Sequence, residues 1–299
     1  MKRSRISGMA VWASLGLLGA GGVAASADTI RASSETATGA AGGGPSSGAR
    51  DAAGPWSSWK RLRFEARQML IFAGHVQMDR RDRTGKEVLE TETRATLFGA
   101  ELAHSRTMTR LDPSTGEPVE FYELSGKRGR RYTFGPDGYS VEKLRPKNSP
   151  DAPVEKWESY SRSQFPYPAS DAPGTPRVFD YYGMLLYLKR AKLRQPGDEI
   201  VLYVATSHGP EPYRIRVSEA RRSERTFEDL STGETKTVPV RELRLRVSPA
   251  KPGQDDEGFM KMEGETEIWV EADTRTLLEI DGKIRKVPGR VEIQLAAIG

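Results

Sequence analysis

Alternation of charged and apolar side chains constrains the fold of this chain more than any other feature of its sequence. In segment 61–67, which reads Arg-Leu-Arg-Phe-Glu-Ala-Arg, charged and apolar residues exchange places at every step. Segments 213–217 and 243–247 repeat the pattern, with arginine between apolar residues. Because successive side chains of a β-strand point to opposite faces, this spacing predicts half-buried strands of a sheet.

Turn sequences separate most of the predicted strands, among them Asp-Pro-Ser-Thr-Gly at 112–116 and Gly-Pro-Asp-Gly at 135–138. Short strands at this spacing favour an antiparallel meander, either open or closed. The strands are predicted at 61–67, 87–96, 97–111, 119–124, 130–134 and 139–144, and then at 199–206, 213–219, 225–230, 237–247, 259–272, 277–284 and 290–298.

One segment departs from the alternation and has the spacing of an α-helix. Its apolar residues follow the i, i+3, i+4, i+7 pattern, namely Tyr181, Met184, Leu185 and Leu188. Asp180 can cap its first turn, and Pro196 follows its basic end, so a helix is predicted over 180–194. The predicted fold is therefore mainly β, of the α+β class, with a large curved antiparallel sheet or half-barrel wrapped around one principal helix.

The N-terminal part of the chain predicts export. Residues 1–27 begin with basic residues, continue with an apolar run at 9–23 and end in Ala-Ser-Ala, which is the form of a cleaved signal peptide. An uncleaved membrane anchor is disfavoured because the run is short and rich in Gly and Ala. Residues 28–55, rich in Ala, Gly, Ser and Thr, are predicted to be a disordered linker. Residues 56–299 are predicted to form a single β-rich domain of a periplasmic protein, with no transmembrane segment after signal cleavage.

The segment 145–177 interrupts the strand pattern before the helix. It contains seven prolines and several aromatic residues. Loops of this length in compact domains are usually functional or disordered. The sequence therefore predicts either a flap whose aromatic rings pack on the domain or a plain surface connection.

Composition and missing motifs exclude several classes of function. The formal net charge is +5, and removal of the three basic residues in 1–27 leaves +2, which argues against nucleic-acid binding. The chain has no cysteine, which excludes disulfides, thiol catalysis and a lipid anchor on cysteine. It has no phosphate-binding loop, dinucleotide fingerprint, nucleophile elbow or zinc-protease motif. Its three histidines are scattered. No catalytic residue, metal site or cofactor is predicted.

The strand around Trp269 carries a row of acidic residues, whereas neighbouring strands carry arginine on one face. Cross-strand ion pairs on a solvated outer face are the simplest interpretation. The alternative is a basic stripe that binds phosphate head groups or another anionic envelope polymer. A flat carboxylate row lacks the clustered loop geometry of a calcium site.

Two stretches of the sequence carry a resemblance to a known family. The first is Asp-Tyr-Tyr-Gly-Met-Leu-Leu-Tyr-Leu at 180–188, with Gly-Asp-Glu at 197–199; the second is Glu-Ile-Trp-Val-Glu-Ala-Asp-Thr-Arg at 267–275. They resemble the bacterial family called domain of unknown function 3108. This resemblance implies an exported envelope protein without an established activity. By analogy with LolA-like folds, it also implies a curved sheet around a helical plug, with a concave apolar cavity for a lipid or acyl chain.

The leading hypothesis is therefore a non-enzymatic, carrier-like binding protein of the periplasm, with a lipid or an envelope protein as partner. The ligand is expected to contact Tyr181, Tyr182, Leu185, Leu188 and Trp269. The first alternative is a structural or interaction protein of the envelope whose core is filled and which binds no ligand. The second is a hydrolase of an envelope polymer, which a carboxylate pair or a His–carboxylate pair in a cleft would support.

We expect the exported protein to begin at Asp28, because Ala25 and Ala27 present the small side chains that signal peptidase recognises. Intact-mass spectrometry of the protein recovered from the periplasm of its host measures this directly. A mass that includes residues 1–27 would contradict the prediction.

Overall fold

The computed structural model describes residues 55–56, 58–68, 72–83, 86–97, 100–149, 152–169, 178–251, 259–260, 262–284 and 289–299. Residues 55–299 form one compact unit. The predicted signal peptide (1–27) and nearly all of the predicted linker (28–55) lie outside the described residues. Within the described part of the chain, no helix has the length and apolar character needed to cross a membrane.

The described residues form a sheet of fifteen strands, one α-helix and one short 3-10 turn. This confirms the mainly β fold and the large antiparallel sheet. In chain order, the first eight strands and the turn are β1 Arg61–Gln68, β2 Phe72–Arg83, β3 Lys86–Leu97, β4 Ala100–Leu111, β5 Pro118–Ser125, β6 Arg128–Phe134, β7 Gly138–Pro146, the turn at Val154–Lys156, and β8 Trp157–Pro166. The remaining elements are β9 Val178–Phe179, α1 Tyr181–Tyr187, β10 Glu199–Thr206, β11 Gly209–Asp229, β12 Thr235–Pro249, β13 Met262–Glu271, β14 Leu277–Ile284 and β15 Val291–Ile298.

The strands follow one another in the sheet almost as they do in the chain. The order runs from β8 back to β1, then from β15 back to β9, so that β1 lies beside β15. Leu62 is opposite Ile298 in this central pair, and both side chains are buried. The predicted antiparallel meander is confirmed. The only parallel pairings are β9 with β10 and the end of β11 with the end of β15, among the described strands.

The strands β11 to β15 form a closed five-stranded ring. β11 is 21 residues long, and its last residues, Glu228 and Asp229, pair with Ala297 and Ile298 of β15. The prediction of two separate strands at 213–219 and 225–230 was therefore wrong. The strand continues through the charged segment 220–224, where no apolar alternation marks it, because β12 pairs with it residue by residue.

A cluster of charged side chains lies where β11, β12 and β14 meet. Glu242 is fully buried and accepts hydrogen bonds from Arg221, at 3.0 Å, and from Arg225. Arg225 also donates to Glu279 at 3.0 Å. Burial opposes the charge of Glu242, but hydrogen bonds from the arginines lower its pKa, so it stays paired as a carboxylate. The two arginines therefore compensate the buried charge of Glu242.

Aromatic side chains bring the two ends of the sheet together. The hydroxyl of Tyr139 on β7 donates to the carbonyl of Thr206 on β10 at 3.0 Å and accepts from its amide at 3.2 Å. The ring of Tyr139 also stacks on Phe134 and packs on Phe165. Val178 and Ala205 belong to the same buried cluster. The sheet is thus curved so far that its ends make side-chain contact, although β8 pairs only with β7 among the described strands.

The helix is shorter than predicted. Asp180 caps it as expected, but α1 ends at Tyr187, so the predicted extent of 180–194 was wrong. The chain leaves the helical path to bury Leu193 completely, and Arg275 donates to the Leu193 carbonyl. Asp198 then accepts from the amides of residues 194 and 195, which holds the basic segment in a turn.

Three strands were not predicted, namely β2, β8 and the two-residue β9 at Val178–Phe179. β2 pairs with β1 and β3 and buries Val76 and Met78, but its charged end at 79–83 hides the alternation. The predicted loop 145–177 instead contains β8, which pairs with β7 over its whole length and begins with the buried Trp157. The prediction of a loop was wrong there because the polar side chains of β8 are exposed on both faces. Residues 170–177 lie outside the described residues.

Alternation along the C-terminal strands is confirmed. Tyr213, Ile215 and Val217 are fully buried, whereas Arg214 and Arg216 are exposed. The expected ion pairs form on the outer face, as between Arg244 and Glu267, Arg246 and Glu265, and Arg214 and Glu199.

We expect Leu185→Ala to lower the free energy of unfolding by about 2–5 kcal/mol, because the substitution leaves a cavity where a buried leucine packs on the sheet. Urea denaturation measures the change. Val201→Ala, at an exposed apolar position of β10, is the matched control. A loss below about 1 kcal/mol at Leu185 would contradict the packing described here.

Candidate functional site

The structure places the predicted helix residues in the core. Leu185 and Leu188 are buried, and Tyr181 packs edge-on against Phe259 with ring centroids 5.7 Å apart. Phe179, directly before the helix, stacks on Tyr187 at 4.7 Å. At these positions the chain's own side chains fill the concave face of the sheet.

Tyr182 and Trp269 have different surroundings. Tyr182 contacts both the main core and the aromatic cluster at the sheet ends, and burial raises the pKa of its hydroxyl. Trp269 lies on the charged face of β13, where the guanidinium of Arg221 is 3.8 Å from its ring centre and that of Arg244 is 5.6 Å away. The four helix residues are therefore brought together in the core. Trp269 is also buried in that core, and two arginines pack on its ring.

A buried carboxylate fastens the helix to the sheet. Oδ1 of Asp180 accepts from the amides of Tyr182, at 3.0 Å, and Gly183, at 2.9 Å, and from the Thr109 hydroxyl of β4 at 2.7 Å. The other oxygen is buried and has no hydrogen-bond partner among the residues that the structure describes. Burial raises the pKa of Asp180 to about 6 against these hydrogen bonds. A Cβ at position 183 would lie 2.7 Å from that carboxylate, which explains the glycine inside the helix.

A cavity of about 440 Å³ lies on the opposite, outer face of the sheet. We call it the outer groove. Strands β1 to β5 form its floor, and the 3-10 turn before β8 forms one wall. The residues that line it are Arg61, Gln77, Asp79, Arg81, Glu90, Thr91, Glu92, Arg106, Thr107, Met108, Arg110, Tyr122, Leu124, Val154 and Glu155.

The wall of the outer groove is held by two contacts to one carbonyl. Trp157 donates from its indole nitrogen to the Ala152 carbonyl at 3.1 Å, and Arg106 approaches the same oxygen at 3.5 Å. Trp157 is buried with Tyr122, Leu124 and Leu144, and Met108 and Val154 pack on this cluster. One end of the outer groove is therefore apolar and packed on buried side chains.

Charges of both signs line the rest of the outer groove. Four arginines and four carboxylates contribute to it. Arg61 pairs with Asp79 at 2.6 Å, and Arg81 lies 3.6 Å from Glu90. Burial and a hydrogen bond to Glu120 raise the pKa of Tyr122 to about 12, so its hydroxyl stays protonated. The surface can thus contact groups of either sign.

A His–carboxylate pair lies at the outer groove. Nε2 of His104 is 3.0 Å from Oε1 of Glu92, which is a lining residue. Burial opposes the charge of Glu92, but Arg94 and His104 together lower its pKa. His104 is one of the three scattered histidines of the sequence, and no sequence pattern pointed to Glu92 or to the outer groove. Strand register alone brings the two residues together, because β3 and β4 pair along this face.

Comparisons with known families, curated proteins and solved structures do not identify a function for this chain. No family model matches this chain, and no curated protein matches it. The resemblance to domain of unknown function 3108 therefore stays a prediction. One solved structure that matches this chain is the crystal structure of a beta-barrel-like protein of domain of unknown function DUF1849 from Brucella abortus. It is 9% identical, with a TM-score of 0.47, over 80% of this chain and 95% of that chain.

Among the described residues, no group of three or more histidine and acidic side chains has the arrangement of a metal site.

We expect Asp180→Asn to change how stability depends on pH. Asparagine caps a helix as well as aspartate does, but it carries no charge to bury. Because the folded pKa of about 6 lies above the ordinary value of 3.8, the stability that Asp180 contributes is fully present below pH 3.8 and is lost as the pH rises through 6.

Urea denaturation of both proteins at a series of pH values measures this effect. The stability of the wild type relative to the variant is expected to fall by about 3 kcal/mol at most across that window. A difference between the two proteins that does not vary with pH would contradict the prediction.

Proposed function

We propose that this chain is a non-enzymatic binding protein of the cell envelope and that its ligand occupies the outer groove. The observation that carries the proposal is the position of the 440 Å³ cavity on the outer face of β1 to β5. This volume is in the range of small-ligand sites. The lining is mainly charged, with an apolar end formed by Met108, Leu124 and Val154. The signal-like residues 1–27 support an envelope location.

A lipid carrier with its acyl chain on the concave face is less well supported. Such a ligand would have to displace Leu185, Leu188 or their neighbours, which are already packed on the sheet. Displacing a packed leucine would expose as much apolar surface as the acyl chain covers there, so little net burial would be gained. The outer groove requires no such displacement.

A second candidate function is hydrolysis of an envelope polymer in the same groove. Glu92 and His104, 3.0 Å apart, favour it. A carboxylate can orient a histidine and stabilise its protonated form while the histidine accepts a proton from water. Glu92→Gln would then abolish turnover of envelope glycan or peptide fragments while leaving their binding measurable.

The binding proposal is tested by native mass spectrometry of protein isolated from the envelope of its host. We expect a bound small molecule in the wild type. Met108→Trp, which fills the apolar end of the outer groove, should remove it, whereas Leu185→Ala should keep it.

Val201→Trp is the control, because it adds a tryptophan at an exposed position of β10 that lines no part of the outer groove. This variant should keep the ligand. Retention of the ligand in Met108→Trp together with its loss in Leu185→Ala would instead place the ligand beside the helix and contradict the proposal.

A further inference from the structure

We infer that the ligand of the outer groove is a peptide segment that carries an acidic and a basic side chain on either side of an apolar one. The inference rests on the proposed function, because it requires the outer groove to be the binding site. In this arrangement the acidic group of the peptide lies toward Arg81, the basic group toward Glu155, and the apolar side chain against Met108 and Leu124.

The balance of charge in the lining is the first argument. Arg61, Arg81, Arg106 and Arg110 face Asp79, Glu90, Glu92 and Glu155 across the same cavity. A polymer of one sign would meet as many like charges as opposite ones, and like-charge contacts reduce affinity. A ligand that carries both signs can match this lining.

The second argument is which of these charges are already paired. Arg61 is held by Asp79 at 2.6 Å, and Arg110 donates to Glu120. Arg81 is exposed and lies 3.6 Å from the half-buried Glu90, which is a long contact. Glu155 is exposed and has no ion pair among the residues that the structure describes. Arg81 and Glu155 are therefore the charges best able to bind a ligand.

The strand register separates these two charges along the cavity. Arg81 lies opposite Val88 on β3, which in turn lies opposite Arg110 on β4. The turn that carries Glu155 lies beside Arg106. On β4, Arg106 and Arg110 lie on opposite sides of Met108, each two residues away from it. A ligand that reaches both charges thus passes over the middle of β4.

This path includes the apolar end of the outer groove. Met108 lies opposite Tyr122, and Arg106 lies opposite Leu124, so the floor between the two charges includes thioether, ring and branched aliphatic surface. Methionine adapts its shape to different apolar groups, which suits a surface that receives a side chain. A peptide supplies charge, apolar side chain and charge within a few residues, whereas a neutral glycan supplies no charge.

The test is isothermal titration of the purified protein with a short peptide, capped at both ends, that contains lysine, leucine and aspartate. We expect a peptide with glutamine and asparagine in place of the two charged residues to bind about tenfold more weakly. Arg81→Glu and Glu155→Lys are each expected to weaken binding of the charged peptide by about tenfold. Arg214→Glu, a reversal at an exposed arginine of β11, is the matched control and should change nothing.

Equal binding of the charged and neutral peptides, or no effect of Arg81→Glu and Glu155→Lys, would overturn the inference. If the peptides do not bind but another molecule binds to the wild type and not to Met108→Trp, the outer groove is still the binding site. Only the inference of a peptide ligand is then wrong. If no ligand is sensitive to Met108→Trp, the proposed function fails as well.

Discussion

The burial of one short helix against the inner face of the sheet is the constraint on which the rest of this structure depends. A seven-residue helix is far too short to be stable by itself, so its stability comes from packing and from its cap. Asp180 supplies that cap and also accepts a hydrogen bond from Thr109, which ties the helix to β4. Because Asp180 is fully buried, its carboxylate costs desolvation energy, and the raised pKa measures that cost. The apolar contacts of Met184 and Leu188 must offset it.

Filling of the concave face determines where a ligand can bind. The helix and the aromatic cluster around Tyr139 occupy the inner side, and the ion pairs around Glu242 occupy the ring of β11 to β15. A segment that crosses the outer face and is fastened by Trp157 then creates a groove on the other side of the sheet. The same register that pairs Arg and Glu across β1 to β4 gives that groove its balanced charge.

The sequence predicted the elements whose local pattern agrees with their burial. Strands such as β10 and β14 were placed to the residue, because alternation and turn residues mark both ends. β2 and β8 were missed because their charged or exposed side chains do not alternate with apolar ones, and only pairing with neighbouring strands makes them regular. The predicted helix was too long because basic residues in 189–194 are typical of a last helical turn. In the structure the helix ends at Tyr187, and the chain after it turns so that Leu193 is buried. The outer groove could not be predicted, since its residues come from five strands and a turn and meet only through register.

If the inner face is filled and the outer face binds, NMR mapping of a bound ligand will place it in the outer groove. Amide shifts of the isotope-labelled protein are followed while the lysine–leucine–aspartate peptide, or the molecule found bound in the isolated protein, is added. We expect the largest shifts at Gln77, Glu92, Arg106 and Val154, which line the outer groove. Shifts concentrated at Tyr181, Leu185 and Leu188 instead, with the outer groove unchanged, would contradict this expectation.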